Sequence, residues 1–191
     1  MVEPGQSTRG AGSRYTLLLI ALVALAPIVA STVVYLYFPR SAQTNYGQLL
    51  KVAPAPEIIG TRSNGTPFSL SALQGKWVLV AAAPGACGEG CRRALYATRQ
   101  ARTIQGREQD RVVRVWLVTD AAQPPPDVLQ EHPGLVVARI ASGALGGFPA
   151  GDRAIYLIDP HGNLVLQYPE NPDIKGLAKD LGRLLRASSI G

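Results

Sequence analysis

The sequence predicts an α/β domain, in which helices flank a central mixed sheet, preceded by one transmembrane helix near the N-terminus. Short apolar runs alternate with stretches of helical periodicity after residue 56, a pattern typical of a sheet packed against helices. A span without charged residues precedes them, between Tyr15 and Pro39. Two cysteines follow directly after one apolar run, at the edge where open α/β sheets bind their ligands.

Length, composition and charge exclude several classes of protein. The 191 residues suit one domain with an appendage, and the 47% hydrophobic content excludes wholesale disorder. Two cysteines cannot form a disulfide-rich scaffold. Most of the net charge of +6 comes from residues 92–114, which hold seven Arg against two acidic residues. Behind a membrane anchor we expect this segment to be a solvated face or a docking surface, so no nucleic-acid partner is expected.

Residues 15–38 are the predicted transmembrane anchor. Twenty of these 24 residues are apolar, and a helix of that length covers roughly 36 Å, enough to cross a hydrocarbon core of about 30 Å. A cleaved signal peptide is the alternative, but its apolar region is shorter, about 7–15 residues. Its cleavage context is also poor, because Pro27 follows the Ala24-Leu25-Ala26 triplet. Residues 1–14 are then a cytoplasmic tail, and the domain behind the anchor lies outside the cytoplasm.

Residues 39–55 are the predicted linker, and residues 56–191 are the predicted soluble domain. The linker is polar and contains Pro54. In the domain, the uninterrupted apolar run 77–82 predicts a strand buried on both faces. The elements expected after it are a helix over 91–105, a strand over 111–118, a short helix over 127–131, strands over 135–140, 154–158 and 164–168, a loop over 141–152 and a turn over 159–163.

The two longer helices are predicted from their apolar faces and their caps. The closing helix is expected to have its cap at Asn171, with Pro172 in its first position and Asp173 complementing the dipole. Its apolar stripe consists of Ile174, Leu177, Ala178, Leu181, Leu184 and Leu185. The earlier helix places Ala94, Ala97, Ala101 and Ile104 on one face.

The cysteine pair is the candidate catalytic and metal-binding site. Cys91 is expected at the start of a helix, where free N–H groups, the helix dipole and the neighbouring Arg92 and Arg93 favour a thiolate. Cys87 lies upstream, and an i, i+4 pair in helical geometry is about 6 Å apart between Cα atoms, inside the disulfide window. The pair therefore forms either an accessible, exchangeable disulfide or a clamp for a thiophilic ion such as Cu(I). A purely structural disulfide is the alternative.

The histidines and the remaining tyrosines are expected to have ordinary structural roles. His161 falls in a turn and His132 precedes a proline near a helix end, so we expect both to be exposed and neither to bind copper. Packing of strands and helices accounts for Tyr96, Tyr156 and Tyr168.

Three stretches of the sequence resemble known proteins. Residues 66–80 resemble the entry to periplasmic thioredoxin-like domains, with the sequence Thr-Pro-Phe-Ser-Leu-Ser-Ala-Leu-Gln-Gly-Lys-Trp-Val-Leu-Val. The Sco/SenC copper proteins, which assemble cytochrome c oxidase, are similar in two places, the Cys87-Gly88-Glu89-Gly90-Cys91 motif and the run 156–163. This resemblance implies a thioredoxin-like domain in the periplasm on a single-pass anchor in the bacterial inner membrane. It also implies copper as a cofactor and, as a partner, a cytochrome c oxidase subunit or another copper-site protein.

The sequence departs from that family at the metal site. The copper-binding His of Sco proteins would fall near Gly151, where this chain has no His, and Arg153 stands where thioredoxins have a cis-Pro. Cys87 and Cys91 are then two of three copper ligands, so copper binding is expected to be weak. The expected function is thiol–disulfide exchange or Cu(I) handling in oxidase assembly. A general periplasmic thiol–disulfide oxidoreductase and a non-catalytic binding module are the alternatives, so it stays open whether the protein is an enzyme.

Overall fold

The computed structural model describes residues 12–37 and 45–190, which belong to two separate units. The first contains α1, Gly12–Tyr37, a helix of 26 residues with Pro27 inside it. Between Tyr15 and Val34 none of this helix is buried, and its length and apolar composition are those of a membrane span or a signal sequence. Most of the predicted tail, residues 1–11, lies outside the described residues.

The second unit is built on one eight-stranded mixed sheet. Its strands are β1 (Gln48–Pro54), β2 (Ile59–Arg62), β3 (Pro67–Ser69), β4 (Trp77–Ala83), β5 (Val112–Val118), β6 (Leu135–Ile140), β7 (Ala154–Ile158) and β8 (Asn163–Pro169). They lie in the order β1-β8-β7-β4-β5-β6-β2-β3. β4, β5 and β6 run parallel, whereas the other neighbouring pairs are antiparallel. The helices are α2 (Glu89–Thr103), α3 (Pro126–Glu131) and α4 (Ile174–Ala187), with short 3-10 helices at Ser71–Leu73, Gly106–Arg111 and Ala144–Gly147.

The hydrophobic core lies on both faces of this sheet. Every residue of β4 is buried, as expected for a strand at the centre of a sheet. On one face, side chains of α2 and α4 share a cluster with Leu79 and Trp116 of the strands. The opposite face is covered by chain segments that carry Ile58, Leu70 and Phe148. The predicted mixed sheet with flanking helices is therefore confirmed.

The structure differs from the predicted linker over residues 39–55. Gln48–Pro54 form β1, which pairs antiparallel with β8 and places Leu49 opposite Leu166. Most of its side chains are exposed, because β1 is the edge of the sheet and has a strand on one side only. An exposed edge strand lacks the buried apolar pattern of a central strand, and so the polar sequence suggested a linker. Residues 39–44 lie outside the described residues.

The cap of α4 is not the predicted one. Asp173 is the N-cap, and its Oδ2 accepts a hydrogen bond from the N–H of Gly176 at 2.8 Å. The helix begins at Ile174, so the prediction of a cap at Asn171 and of Pro172 in the first helical position is wrong. Asp173 can cap because its backbone is extended while its side chain reaches the free N–H of the first turn.

α2 begins two residues earlier than predicted. Its first residue is Glu89, after the extended Gly88, so Cys91 is the third residue of the helix. The helix ends at Thr103. Ile104 lies beyond that end and is exposed, so its predicted place on the buried face is wrong. The three alanines predicted on that face are buried, namely Ala94, Ala97 and Ala101.

Two ring-bearing side chains differ from the prediction in their exposure. His132 is only 4% exposed, whereas Tyr96 is 48% exposed. His132 is buried because Arg99 of α2 donates a hydrogen bond to the carbonyl of Glu131 and so holds the end of α3 close to α2. The guanidinium of Arg99 also lies over the Tyr96 ring at 5.6 Å. The other predictions of this kind are confirmed, since Tyr156 and Tyr168 are buried and His161 is exposed.

Candidate redox site

The structure joins the two cysteines that the sequence predicted as site residues. Cys87 and Cys91 form a disulfide with a Cα–Cα distance of 5.1 Å, inside the window expected from their spacing. Cys87 lies in the loop after β4, and Cys91 lies in the first turn of α2. Because β4 is a central strand, the pair lies at its carboxyl end, at the edge of the sheet where ligands of open α/β sheets bind.

The backbone of Cys87 is held in an unfavourable conformation. Its φ of 46° is in the left-handed region, and within the described residues no other non-glycine has a positive φ. Such a conformation costs roughly 1–3 kcal/mol. Cys87 lies in a tight turn, in which its N–H donates to the carbonyl of Pro84 at 3.0 Å, and the disulfide to Cys91 closes the same loop. Reduction removes one constraint on this loop, so release of the strain favours the reduced form.

The cysteine loop is fixed to the loop that follows β5. The N–H of Gly85 donates to Oδ1 of Asp120 at 2.7 Å, and the N–H of Ala122 donates to the same oxygen at 3.2 Å. A Cβ on Gly85 would lie 2.1 Å from the carbonyl oxygen of Ala122, so this close approach requires glycine. Sequence reasoning missed this role of Asp120. The available signal was its position just after a strand parallel to β4, because the ends of parallel strands meet at one edge.

Both cysteine side chains are buried in the disulfide form. Cys87 is 1% exposed and Cys91 is 6% exposed, and both belong to the cluster beneath α2 and α4. The prediction that the pair is accessible is therefore wrong for the disulfide form, because Cys91 lies on the buried face of α2 with Ala94 and Leu95. A partner thiol reaches the disulfide only if the loop 84–88 moves. The exposed residues of that loop are Pro84, Ala86 and Gly88.

The basic residues that follow Cys91 are both paired with carboxylates. Arg92 contacts Asp127 at 2.9 Å, and Arg93 contacts Glu89 at 3.3 Å. The hydrogen bond from Arg92 lowers the pKa of Asp127, so this carboxyl group stays charged at neutral pH. The sequence predicted that the two arginines favour a thiolate, but the pairing weakens their field at the cysteines. The helix N-terminus is then the main stabiliser of a Cys91 thiolate.

A third carboxylate lies against the first turn of α2. A Cβ on Gly90 would lie 2.2 Å from Oε1 of Glu170, so the glycine leaves room for this side chain directly before Cys91. A carboxylate near a helix N-terminus interacts favourably with the dipole. It also places negative charge beside the cysteines. Glu170 follows β8 and is far from the pair in sequence, so no local pattern could have revealed the contact.

A cavity of about 440 Å³ opens at the same edge of the sheet as the disulfide. Its lining includes Thr119 after β5, Ile140 of β6, and Phe148 and Gly151 from the loop before β7. These residues share the edge because the carboxyl ends of β4, β5 and β6 lie side by side. β7 runs antiparallel to β4, so it begins at that same edge. No peptide bond among the described residues is cis, so Arg153 does not reproduce the cis-Pro of thioredoxins.

The described residues do not provide a complete copper site. They contain no group of three or more His, Cys, Asp or Glu side chains that could hold a metal ion. Gly151, at the expected place of the copper-binding His, has a φ of 58°, a conformation uncommon for residues other than glycine. His161 follows β7 and His132 precedes β6, so both lie at the opposite edge of the sheet. A reduced cysteine pair therefore fits Cu(I) only as a two-thiolate clamp.

Known proteins share the domain that carries this site. A family model described as "Transmembrane-like, thioredoxin-like, C-terminal domain" matches residues 77–188. The chain belongs to this family. The match contains both cysteines and confirms the predicted thioredoxin-like fold. A search of curated protein sequences finds no match.

Solved structures have the same fold at low sequence identity. The copper-bound ScoI of Arabidopsis thaliana gives a TM-score of 0.60 at 20% identity, over 71% of this chain and 100% of that one. BsSco, a member of the Sco family of cytochrome c oxidase assembly proteins with a disulfide switch, gives 0.56 at 17% identity, over 74% and 95%. The thioredoxin domain of the thiol–disulfide oxidoreductase BVU-2223 from Bacteroides vulgatus gives 0.50 at 21% identity, over 71% and 99%. These structures confirm the predicted resemblance to Sco proteins as a resemblance of fold.

Proposed function

We propose that this protein exchanges thiols and disulfides through Cys87 and Cys91 in the assembly of a cytochrome c oxidase. The observation that carries the proposal is the disulfide at the carboxyl end of a central strand, with Cys87 in a left-handed conformation. The shared fold with Sco proteins, one of which has a disulfide switch, supports it. The partner is then an oxidase subunit or another protein that presents a copper-site dithiol.

The reaction transfers two electrons in two steps. A thiolate of the partner attacks Cys87, the S–S bond breaks, and Cys91 leaves as a thiolate. Cys91 is the better leaving group because the first turn of α2 stabilises its negative charge. The second partner thiol then attacks the mixed disulfide. The partner leaves with a disulfide, and the two cysteines are reduced and take up the protons that the partner's thiols released.

The cavity at the carboxyl ends of β5 and β6, on the same edge of the sheet as the disulfide, is the proposed binding place for a segment of the partner. Its apolar lining, which includes Ile140 and Phe148, suits the side chains of an extended peptide. Binding there would bring a partner thiol to the edge of the sheet that carries Cys87. The loop 84–88 must open in the same step, because both cysteines are buried in the disulfide form.

We place the copper ion on the partner rather than on this chain. Reduction of the pair supplies two thiolates, and no third ligand accompanies them in the described part of the chain. A thiol–disulfide exchange protein needs only the two sulfurs, because it prepares the cysteines that will later bind the metal. We further propose that residues 15–38 anchor the domain, which includes β1 from Gln48 onward, on the periplasmic side of a bacterial inner membrane, where disulfides persist.

A binding module with a structural disulfide is the second candidate function, and the burial of both cysteines favours it. The two candidates differ in their response to reduction. A disulfide that closes so short a loop stabilises a fold by about 2 kcal/mol at most in the chain-entropy model. An exchange protein therefore keeps its fold when it is reduced.

Oxidase assembly in cells that carry a Cys87→Ser, Cys91→Ser double variant tests the proposal. We expect loss of assembled oxidase while the protein itself stays at its normal level. The matched control is Ala86→Ser, which adds a hydroxyl to the exposed part of the same loop and leaves assembly intact. We also expect Cys91→Ser to form a lasting mixed disulfide with the oxidised partner. The Cys87 thiolate attacks the partner's disulfide, one partner sulfur leaves as a thiolate, and Cys91 is then missing and cannot release Cys87 from the new bond. Normal assembly in the double variant would remove the cysteines from the mechanism.

A further inference from the structure

Four cationic or titratable side chains meet where the second half of α2 lies next to β5 and the end of α3. They are Arg99 and Arg102 of α2, Arg114 of β5 and His132 after α3, and together they are called the arginine cluster. Arg99 and Arg114 donate to the carbonyls of the residues on either side of His132, and Nε of Arg102 donates to the carbonyl of Val112 in β5 at 2.9 Å. Cys91 lies in the first turn of α2, so the cluster is separate from the disulfide, and the inference drawn from it does not depend on the proposed function.

Arg114 is the innermost member of the arginine cluster. Its side chain is buried, with only 2% of the residue exposed. Nη2 donates to the carbonyl of Pro133 at 2.7 Å, whereas Nη1 is buried without a hydrogen-bond partner. No carboxylate contacts this guanidinium within the described residues. A buried cation with an unused donor is costly, because neither water nor a counter-charge compensates its desolvation.

The neighbouring charges add to this cost instead of reducing it. Burial and the fields of Arg102 and Arg99 lower the pKa of Arg114 to about 10, so it still carries its charge at neutral pH. Arg102 has one ion pair, with the exposed carboxylate of Asp110 at 3.3 Å. Arg99 uses the carbonyl of Glu131 and the ring of Tyr96. Three guanidiniums therefore share one carboxylate contact.

His132 contributes a second buried polar atom without a partner, its Nδ1. Burial, Arg114, Arg99 and Arg92 lower the pKa of His132, against a smaller opposing effect of Glu131. The imidazole is therefore neutral at neutral pH and can present an N–H at this atom. The two unpartnered atoms come from different elements, β5 and the segment after α3, and share their charged neighbours.

We propose that the arginine cluster binds a small oxyanion of the phosphate or sulfate type. A water molecule could satisfy the free donors, but only an anion also compensates the excess positive charge. The planar guanidinium fork matches the oxygens of an oxyanion and binds them in pairs. Arg99 and Arg102 are partly exposed, whereas the unpartnered donors of Arg114 and His132 are buried, so the two outer side chains must move aside for an anion to reach the inner donors.

Inorganic phosphate is the probe that tests this site, titrated into the full chain in detergent at constant ionic strength set with sodium chloride. We expect a saturable rise in melting temperature of roughly 3–6 °C at ten times the dissociation constant. Arg99→Gln should weaken phosphate binding at least about tenfold, because it removes a charge-assisted hydrogen bond. Arg114→Met should abolish the saturable response. The matched control is Arg107→Gln, which removes the same charge from an exposed position outside the cluster and should keep the response.

Phosphate also stabilises proteins without binding, through its exclusion from their surface, but that effect does not saturate and is equal in all variants. Equal responses in the wild type and in Arg99→Gln would overturn the proposal, as would the absence of binding heat in calorimetry with the wild type. Arg99 is at the surface, so its variant decides the question even if Arg114→Met does not fold. Sulfate in place of phosphate should give the same ranking of the variants, because both present the same arrangement of oxygens.

Discussion

The two halves of α2 carry the same residue type but differ in how its charge is compensated. In the first half, Arg92 and Arg93 each contact a carboxylate, and Glu170 adds a further negative charge against the first turn. In the second half, Arg99 and Arg102 lie with the buried Arg114 and have one carboxylate contact among them. The difference comes from the elements packed nearby, because α3 supplies Asp127 to the first half while β5 supplies another cation to the second.

This comparison separates two kinds of chemistry along one helix. At the cysteines the arginine charges are largely neutralised, so under the proposed function we expect the helix N-terminus and the strained Cys87 backbone to determine the reactivity of the pair. At the other half the positive charge is left uncompensated, so an anion is attracted there. A count of seven arginines in the sequence predicts one basic surface, whereas the fold pairs two of them with carboxylates at the cysteine end of α2 and gathers three others at the cationic end.

His132, at the cationic end of α2, makes the stability of the fold depend on pH. Its pKa in the folded protein is lowered by burial and by Arg114 and Arg99, so the unfolded chain takes up its proton first as the pH falls. The contribution of His132 to stability is therefore complete above the ordinary pKa of about 6.5 and is lost below it. The free energy of unfolding can be measured in urea at neutral pH and at about pH 5. Its fall between these two pH values should be smaller in His132→Asn than in the wild type by on the order of 1 kcal/mol.

The control for that measurement is His161→Asn, because His161 is exposed in the turn between β7 and β8. It should leave the pH dependence of unfolding unchanged. If the free energy of unfolding falls as much with acid in His132→Asn as in the wild type, the cationic end of α2 does not disfavour protonation of His132. Phosphate should reduce the loss in the wild type, because an anion in the cluster favours protonated His132.

Glu170, at the cysteine end of α2, should have a smaller effect, on the reactivity of the reduced cysteines. Glu170→Gln removes the negative charge beside the first turn of α2, so the thiolate of reduced Cys91 is better stabilised. Alkylation of the reduced protein at neutral pH should become about two- to threefold faster. Glu57→Gln, at an exposed carboxylate in the segment between β1 and β2, is the control and should not change the rate. An unchanged or slower rate in Glu170→Gln would mean that this carboxylate does not act on the cysteines.

The local patterns of the sequence predicted those parts of the molecule that depend on local physics. The strands over 135–140 and 154–158 have the predicted limits, since buried apolar runs bounded by turn residues leave few alternatives. The disulfide follows from the spacing of its cysteines. The edge strand β1 was missed because its side chains are exposed and its partner β8 lies at the far end of the chain.

The electrostatics of the site depend on contacts between residues that are distant in sequence, so no local pattern could predict them. Arg92 finds Asp127 on another helix, and Glu170 reaches Gly90 only because β8 ends beside α2. The burial of His132 likewise depends on the bond from Arg99 to the end of α3. Sequence reasoning therefore located the cysteines correctly and assigned the wrong surroundings to them.

The redox potential of the Cys87–Cys91 pair in the full chain distinguishes an exchangeable disulfide from a structural one. It can be measured by equilibration with glutathione buffers and trapping of free thiols. The left-handed Cys87 backbone and the helix N-terminus at Cys91 both favour the dithiol form, so the potential should lie above about −300 mV, the usual upper limit of structural disulfides. The reduced protein should also stay folded. A potential well below that limit, together with unfolding on reduction, would contradict exchange chemistry and assign the disulfide a structural role.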